Sequence, residues 1–181
     1  MEKRDKGWLL EVGKVTLILA ELAFVFASIG VVIGIIALLT FARGKIVADL
    51  AAAGAPAGTY LAFIAVLVLI WAIISLSMLF IRNLRAIVDS VDQGDPFHPD
   101  NGARLARMGW YALGVQALQF VVEGLGTGYS RYAEAVGGGT IRMAMDNDPS
   151  LTGLALAVTL FILAGVFRKG AEMREDLVGT V

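Results

Sequence analysis

Cysteine is absent from this chain of 181 residues, which removes disulfides, thiolate catalysis and cysteine-based zinc sites together. A single histidine excludes a histidine-rich metal site within one chain. Charge is scarce as well: 17% of residues are Asp, Glu, Lys or Arg, where a soluble domain carries about 25%. The formal net charge of -1 leaves no basic surplus to neutralise phosphates, so direct nucleic-acid binding is not expected. Nucleophile–base pairs, phosphate-cradling glycine loops and the nucleophile-elbow motif are missing too, and neither an enzyme nor a cofactor site is expected.

What is present is apolar. Hydrophobic residues make up 57% of the chain and the mean hydropathy is +0.75, values that imply a bilayer solvent. The N-terminus is basic and then apolar, as a signal peptide is, but its apolar run continues to Phe41. It therefore reads as a retained first helix with its basic end in the cytoplasm. Four stretches are long enough to cross a bilayer: about 16–41, 59–81, 108–128 and 151–167. The expected fold is all-α, a polytopic four-transmembrane-helix bundle forming a single membrane domain over 1–181. Residues 82–107 form its cytoplasmic loop and 129–150 its external loop. Within the first connection, Arg43 to Gly58 reads as a link with at most one helical turn.

The second helix does not stop at the membrane, because Leu84, Ile87, Val88 and Val91 continue an i, i+3, i+4, i+7 stripe. It is expected to project to about Asp92, where Gly94-Asp95-Pro96 ends it. Asp100 or Asn101 is the candidate N-cap of the third helix. Asp148 as cap and Pro149 in the first turn would open the fourth.

Sidedness follows from counting basic residues. With both termini inside, eleven fall on the cytoplasmic side: Lys3, Arg4, Lys6, Lys14, Arg82, Arg85, Arg104, Arg107, Arg168, Lys169 and Arg174. Four fall outside: Arg43, Lys45, Arg131 and Arg142. The bias places both ends in the cytoplasm, with a multi-pass chain.

Polar groups inside apolar spans are the default functional candidates, because isolated in lipid they cost several kcal/mol. Gln116, Gln119 and Glu123 share one face of the third helix. That face reads either as the lining of a polar cavity or as interhelical hydrogen-bond glue. Glu21, in the first helix, is expected to pair with Arg82 or Arg168 near the cytoplasmic interface. Gly30-x-x-x-Gly34 permits close helix approach, within the bundle or between two copies. His98, between Asp95 and Asp100, has the residue types for a divalent ion, but its flanking prolines read better as a rigid turn with Phe97 buried as an anchor.

The second helix runs into N-L-R-x-I-V-x-S-V-x-x-G-D-P-F, followed by N-x-x-R-L-x-x-M-G, and the fourth ends V-F-R-K-G-A-E-M-R-E-D-L-V-G-T-V. This pattern resembles a family of small bacterial four-helix membrane proteins known only as a domain of unknown function. Members are commonly encoded beside a Cro-like helix-turn-helix regulator. The resemblance implies a membrane partner for a transcription factor and supplies no catalytic residues. The expected docking surface is then the polar cytoplasmic face: Arg82, Arg85, Asp95, Phe97, His98, Asn101, Arg104, Arg107, Arg168 and Arg174. A dimeric transporter or lipid-binding bundle built on Gln116, Gln119 and Glu123 is the competing expectation.

Overall fold

The computed structural model describes residues 2–129, 132 and 151–178. These form five helices: α1 (Glu2–Thr40), α2 (Arg43–Ala52), α3 (Thr59–Asp92), α4 (Pro99–Tyr129) and α5 (Leu151–Val178). Among the described residues, three helices are long and apolar enough to cross a membrane, over Leu10–Thr40, Thr59–Asp92 and Leu151–Asp176. The expected span at 108–128 is helical but is not one of the three. Gln116, Gln119 and Glu123 interrupt its apolar run, and Gly109, Gly114 and Gly124 dilute it further. The expected external loop and the Asp148-Pro149 helix start lie, Tyr129 and Tyr132 apart, outside the described residues.

A second correction concerns the link after α1, which contains a ten-residue helix, α2, rather than a single turn. Ala and Leu favour helix there, and Ile46 and Leu50, one turn apart, provide an apolar face to bury. Gly54 ends α2 at φ +69°, a conformation costly for any residue with a Cβ. The Gly54 and Ala55 N–H groups close back onto the Ala51 and Leu50 carbonyls in a Schellman arrangement. The same device ends α3 where expected: Gly94 stands at φ +80°, and the Gly94 and Asp95 N–H groups donate to Val91 and Ser90 carbonyls.

α3 has 34 residues, about 51 Å of helix against a hydrocarbon core of about 30 Å, so one of its ends must project from the membrane. α5 is 28 residues long and carries the charged tail as continuous helix.

The residues fall into two compact units, to both of which α1, α3 and α4 contribute. The first comprises Met1–Val25, Leu76–Leu113 and Leu151–Val181. Its core joins Ile87 of α3, Leu105 and Met108 of α4, and Leu160 and Ala164 of α5, flanked by Phe80, Leu84 and Phe167. Two glycines let α4 and α5 approach. A Cβ on Gly102 would lie 3.1 Å from the Ala164 carbonyl oxygen, and one on Gly109 would lie 2.9 Å from the Phe161 ring. Phe161 also meets Trp110 edge-on, with ring centroids 5.4 Å apart.

The second unit comprises Phe26–Ser75 and Gly114–Ser150. Leu50 of α2, Phe63 and Val66 of α3 and Val122 of α4 form its core. α1 is fixed here by two directional bonds. The Tyr60 hydroxyl donates to the Leu38 carbonyl at 2.9 Å, and the Trp71 indole N–H donates to the Ser28 hydroxyl at 2.9 Å.

Candidate functional site

The candidate site is in the first unit, where the end of α3, the turn into α4 and the end of α5 meet. His98, not Asp100 or Asn101, caps α4. Its Nδ1 accepts the Asp100 N–H at 3.2 Å and its carbonyl accepts the Asn101 N–H, with Pro99 at the first helical position. Proline suits that position because its missing N–H would have no partner there. The neutral imidazole, with Nδ1 free to accept, is the form that makes this cap.

Asn101 is fully buried, a correction to its placement on the exposed surface. Its amide nitrogen donates to the Ser90 hydroxyl at 2.7 Å and to the Pro96 carbonyl at 3.0 Å. Its amide oxygen accepts from the Arg104 guanidinium at 2.9 Å, and the same nitrogen of Arg104 reaches the Ala86 carbonyl of α3 at 3.1 Å. Ser90 in turn donates to the Ile87 carbonyl. The amide thus uses both donors and its acceptor to tie α3, the turn and α4 into one piece.

The tail of α5 is fastened to that piece twice. Asp95 pairs with Arg174, and Phe97 lies on Gly170 with its ring 5.6 Å from that of Phe167. Phe97 anchors as expected but remains 41% exposed rather than buried. A Cβ on Gly170 would fall 2.6 Å from the Phe97 ring, so only glycine leaves room for it.

A second cluster joins α1 to α3 by charge alone. Glu21 is held by Arg82 at 2.7 Å and Arg85 at 3.2 Å; Arg168, the other expected partner, is not among its contacts. Lys14 meets Asp92 at 2.6 Å and Asp89 at 3.5 Å, and Asp89 also faces Arg85 at 3.9 Å. The signs alternate along Asp92, Lys14, Asp89, Arg85, Glu21 and Arg82. Lys14, Asp89 and Asp92 escaped sequence reasoning; the available signal was the seven-residue spacing of Lys14 and Glu21, which puts them on one helix face. None of the described α1 side chains is buried in the core, and its apolar window is 0% buried.

The remaining candidates divide. Arg107 and Arg168 are exposed, and neither is in an ion pair among the described residues. Gln116, Gln119 and Glu123 lie in the second unit, half-buried, with no side-chain hydrogen bond among the described residues. A Cβ on Gly30 or Gly34 would meet nothing within 4 Å, so neither glycine is a point of close approach within the chain.

Three helices long and apolar enough to cross a membrane, among the described residues, mark a membrane protein. Residues 46–181 match the family model described as Protein of unknown function (DUF2975), and the chain belongs to that family. The matched residues begin within α2 and so leave α1 outside. No match is found among curated proteins, and none among solved structures.

Proposed function

We propose that this protein is an interaction or sensory module of the bacterial inner membrane, whose cytoplasmic face docks a soluble partner such as a helix-turn-helix transcription regulator. In this reading all four long helices cross the bilayer, α4 included, and both termini are cytoplasmic, as the basic-residue bias supports. The module performs no catalysis. One observation carries the docking role. The α3–α4 turn and the α5 tail are braced by Asn101, Phe97 and the Asp95–Arg174 pair, while Arg107 and Arg168 on the same helices have no carboxylate partner among the described residues. A preorganised surface with unpaired guanidinium groups suits an acidic patch on a partner, since little ordering cost remains on binding.

Replacing Arg107 and Arg168 together with alanine is expected to weaken binding of a Cro-like helix-turn-helix regulator by roughly tenfold, with most of the loss in association rate at low salt. Surface-immobilised full-length protein in nanodiscs gives the measurement. Equal affinities for wild type and double variant would end this reading.

A transport or ligand-binding role draws on a separate observation. Gln116, Gln119 and Glu123 share a half-buried face without hydrogen bonds among the described residues, and such groups in a bilayer seek water or a ligand. Proteoliposomes would then show a pH-dependent flux that Glu123→Gln reduces. Identical leak in liposomes with and without protein removes this second reading.

A further inference from the structure

In the second unit, α2 and the start of α3 enclose an apolar cleft of about 490 Å³, within the range of roughly 300–1,000 Å³ typical of ligand pockets. Val47 and Leu50 of α2 and Tyr60, Leu61 and Ile64 of α3 form its walls, and Arg43 is the single charged residue on its lining. Leu61 is 67% exposed and Val47 45%, so the cleft opens sideways along the flank of α3, a helix able to span the membrane. One wall is fixed, because the Tyr60 hydroxyl is bonded to the Leu38 carbonyl at the end of α1.

The end of the cleft at Arg43 is electrostatically open. Arg43 begins α2, whose N-cap residue Ala42 offers no side-chain hydrogen bond and whose first turn holds no acidic residue. Lys45 adds a second cation in that turn, and neither it nor Arg43 forms an ion pair among the described residues. At the cleft itself, the Arg43 guanidinium and the uncapped N-terminus of α2 stand together, and Asp49, the acidic residue of α2, lies beyond its first turn and off the lining. An apolar trough open along a spanning helix, ending at uncompensated positive charge, has the two-part chemistry of an anionic amphiphile. The surrounding bilayer supplies that chemistry as phospholipid.

We infer that this cleft is a binding site for one anionic phospholipid, with an acyl chain along Val47, Leu61 and Ile64 and the phosphate at Arg43 and the N-terminus of α2. The site is independent of the docking face proposed above.

Native mass spectrometry of the full-length protein, released from micelles doped with phosphatidylglycerol or with phosphatidylcholine of the same acyl chains, tests it. Wild type is expected to retain one phosphatidylglycerol per chain, roughly fivefold more often than phosphatidylcholine. Arg43→Gln should bring the two lipids level, and Ala51→Phe, which fills the cleft, should reduce retention of both. Far-ultraviolet circular dichroism and thermal unfolding of each variant establish that it is folded. Equal retention of the two lipids by wild type would overturn the assignment, as would either folded variant holding phosphatidylglycerol as wild type does. Complete displacement by equimolar oleate, which carries a carboxylate on a similar chain, would overturn it in favour of a free fatty acid.

Discussion

Replacing Asn101 with alanine is expected to destabilise the protein by about 2–4 kcal/mol, because a buried acceptor loses its donor and a packed amide leaves a void. The effect comes from what remains behind. The buried Ser90 hydroxyl and the carbonyl of the exposed Pro96 would lose the amide donors that now reach them at 2.7 Å and 3.0 Å. Ser90 would keep its bond to the Ile87 carbonyl, and Arg104 its bond to the Ala86 carbonyl, so neither is wholly orphaned. Aspartate at the same position preserves shape and the contact with Arg104 but cannot donate to Ser90 or Pro96. It should therefore be destabilising too, by about 1–3 kcal/mol. Unfolding by sodium dodecyl sulfate in mixed micelles, followed by tryptophan fluorescence, measures both. A loss under about 0.5 kcal/mol for alanine, the scale of an ordinary surface change, would show that Asn101 does not organise the turn.

The turn also shows how much of this molecule its amino acids disclose locally. Helix α3 was legible beyond its apolar run because Leu84 and Ile87 keep the helical period, and its end was legible because Gly94 tolerates a positive φ. The burial of Asn101 was not. An asparagine in a polar stretch looks solvated unless its partners, Ser90 and Pro96, are known to fold back over it. Similarly, Gly102, Gly109 and Gly170 have reasons to be glycine that lie on Ala164, Phe161 and Phe97, roughly fifty to seventy positions distant along the chain. Helix α2 was hidden for a different cause. Its sequence is short and rich in alanine, and only its contact with Phe63, Val66 and Val122 selects helix over loop. The ion-pair partners of Lys14 fall on α3, 75 and 78 residues away, where no sequence period can point. Pairings between distant segments were mostly hidden, the exception being Glu21 with Arg82, where an acidic residue inside one apolar run calls for a cation at the end of another.

Glu21 is the second position where a large effect is expected, because it compensates two arginines at once and α1 has little else to hold its first half. Alanine there should cost about 1–3 kcal/mol, the range set by partial exposure of the arginines and by the penalty for an unpaired charge near hydrocarbon. Arg85 would still have Asp89 at 3.9 Å, whereas Arg82 would keep no carboxylate partner among the described residues. A discriminating control follows from the same physics. Removing the charge and its chief partner together, as Glu21→Leu with Arg82→Leu, should restore part of the stability, since Arg82 then leaves no unpaired guanidinium and Arg85 keeps Asp89. If Glu21 served only as a surface charge, the single variant would lie within about 0.5 kcal/mol of wild type and the double variant would gain nothing over it. If it holds α1, limited trypsinolysis should in addition cut the chain after Lys14, at the basic end of the span, sooner in Glu21→Ala than in wild type, with the double variant returning towards the wild-type rate. Faster cleavage of the double variant than of the single one would show that the charge ladder from Asp92 to Arg82, and not desolvation at Glu21, sets the position of the first helix.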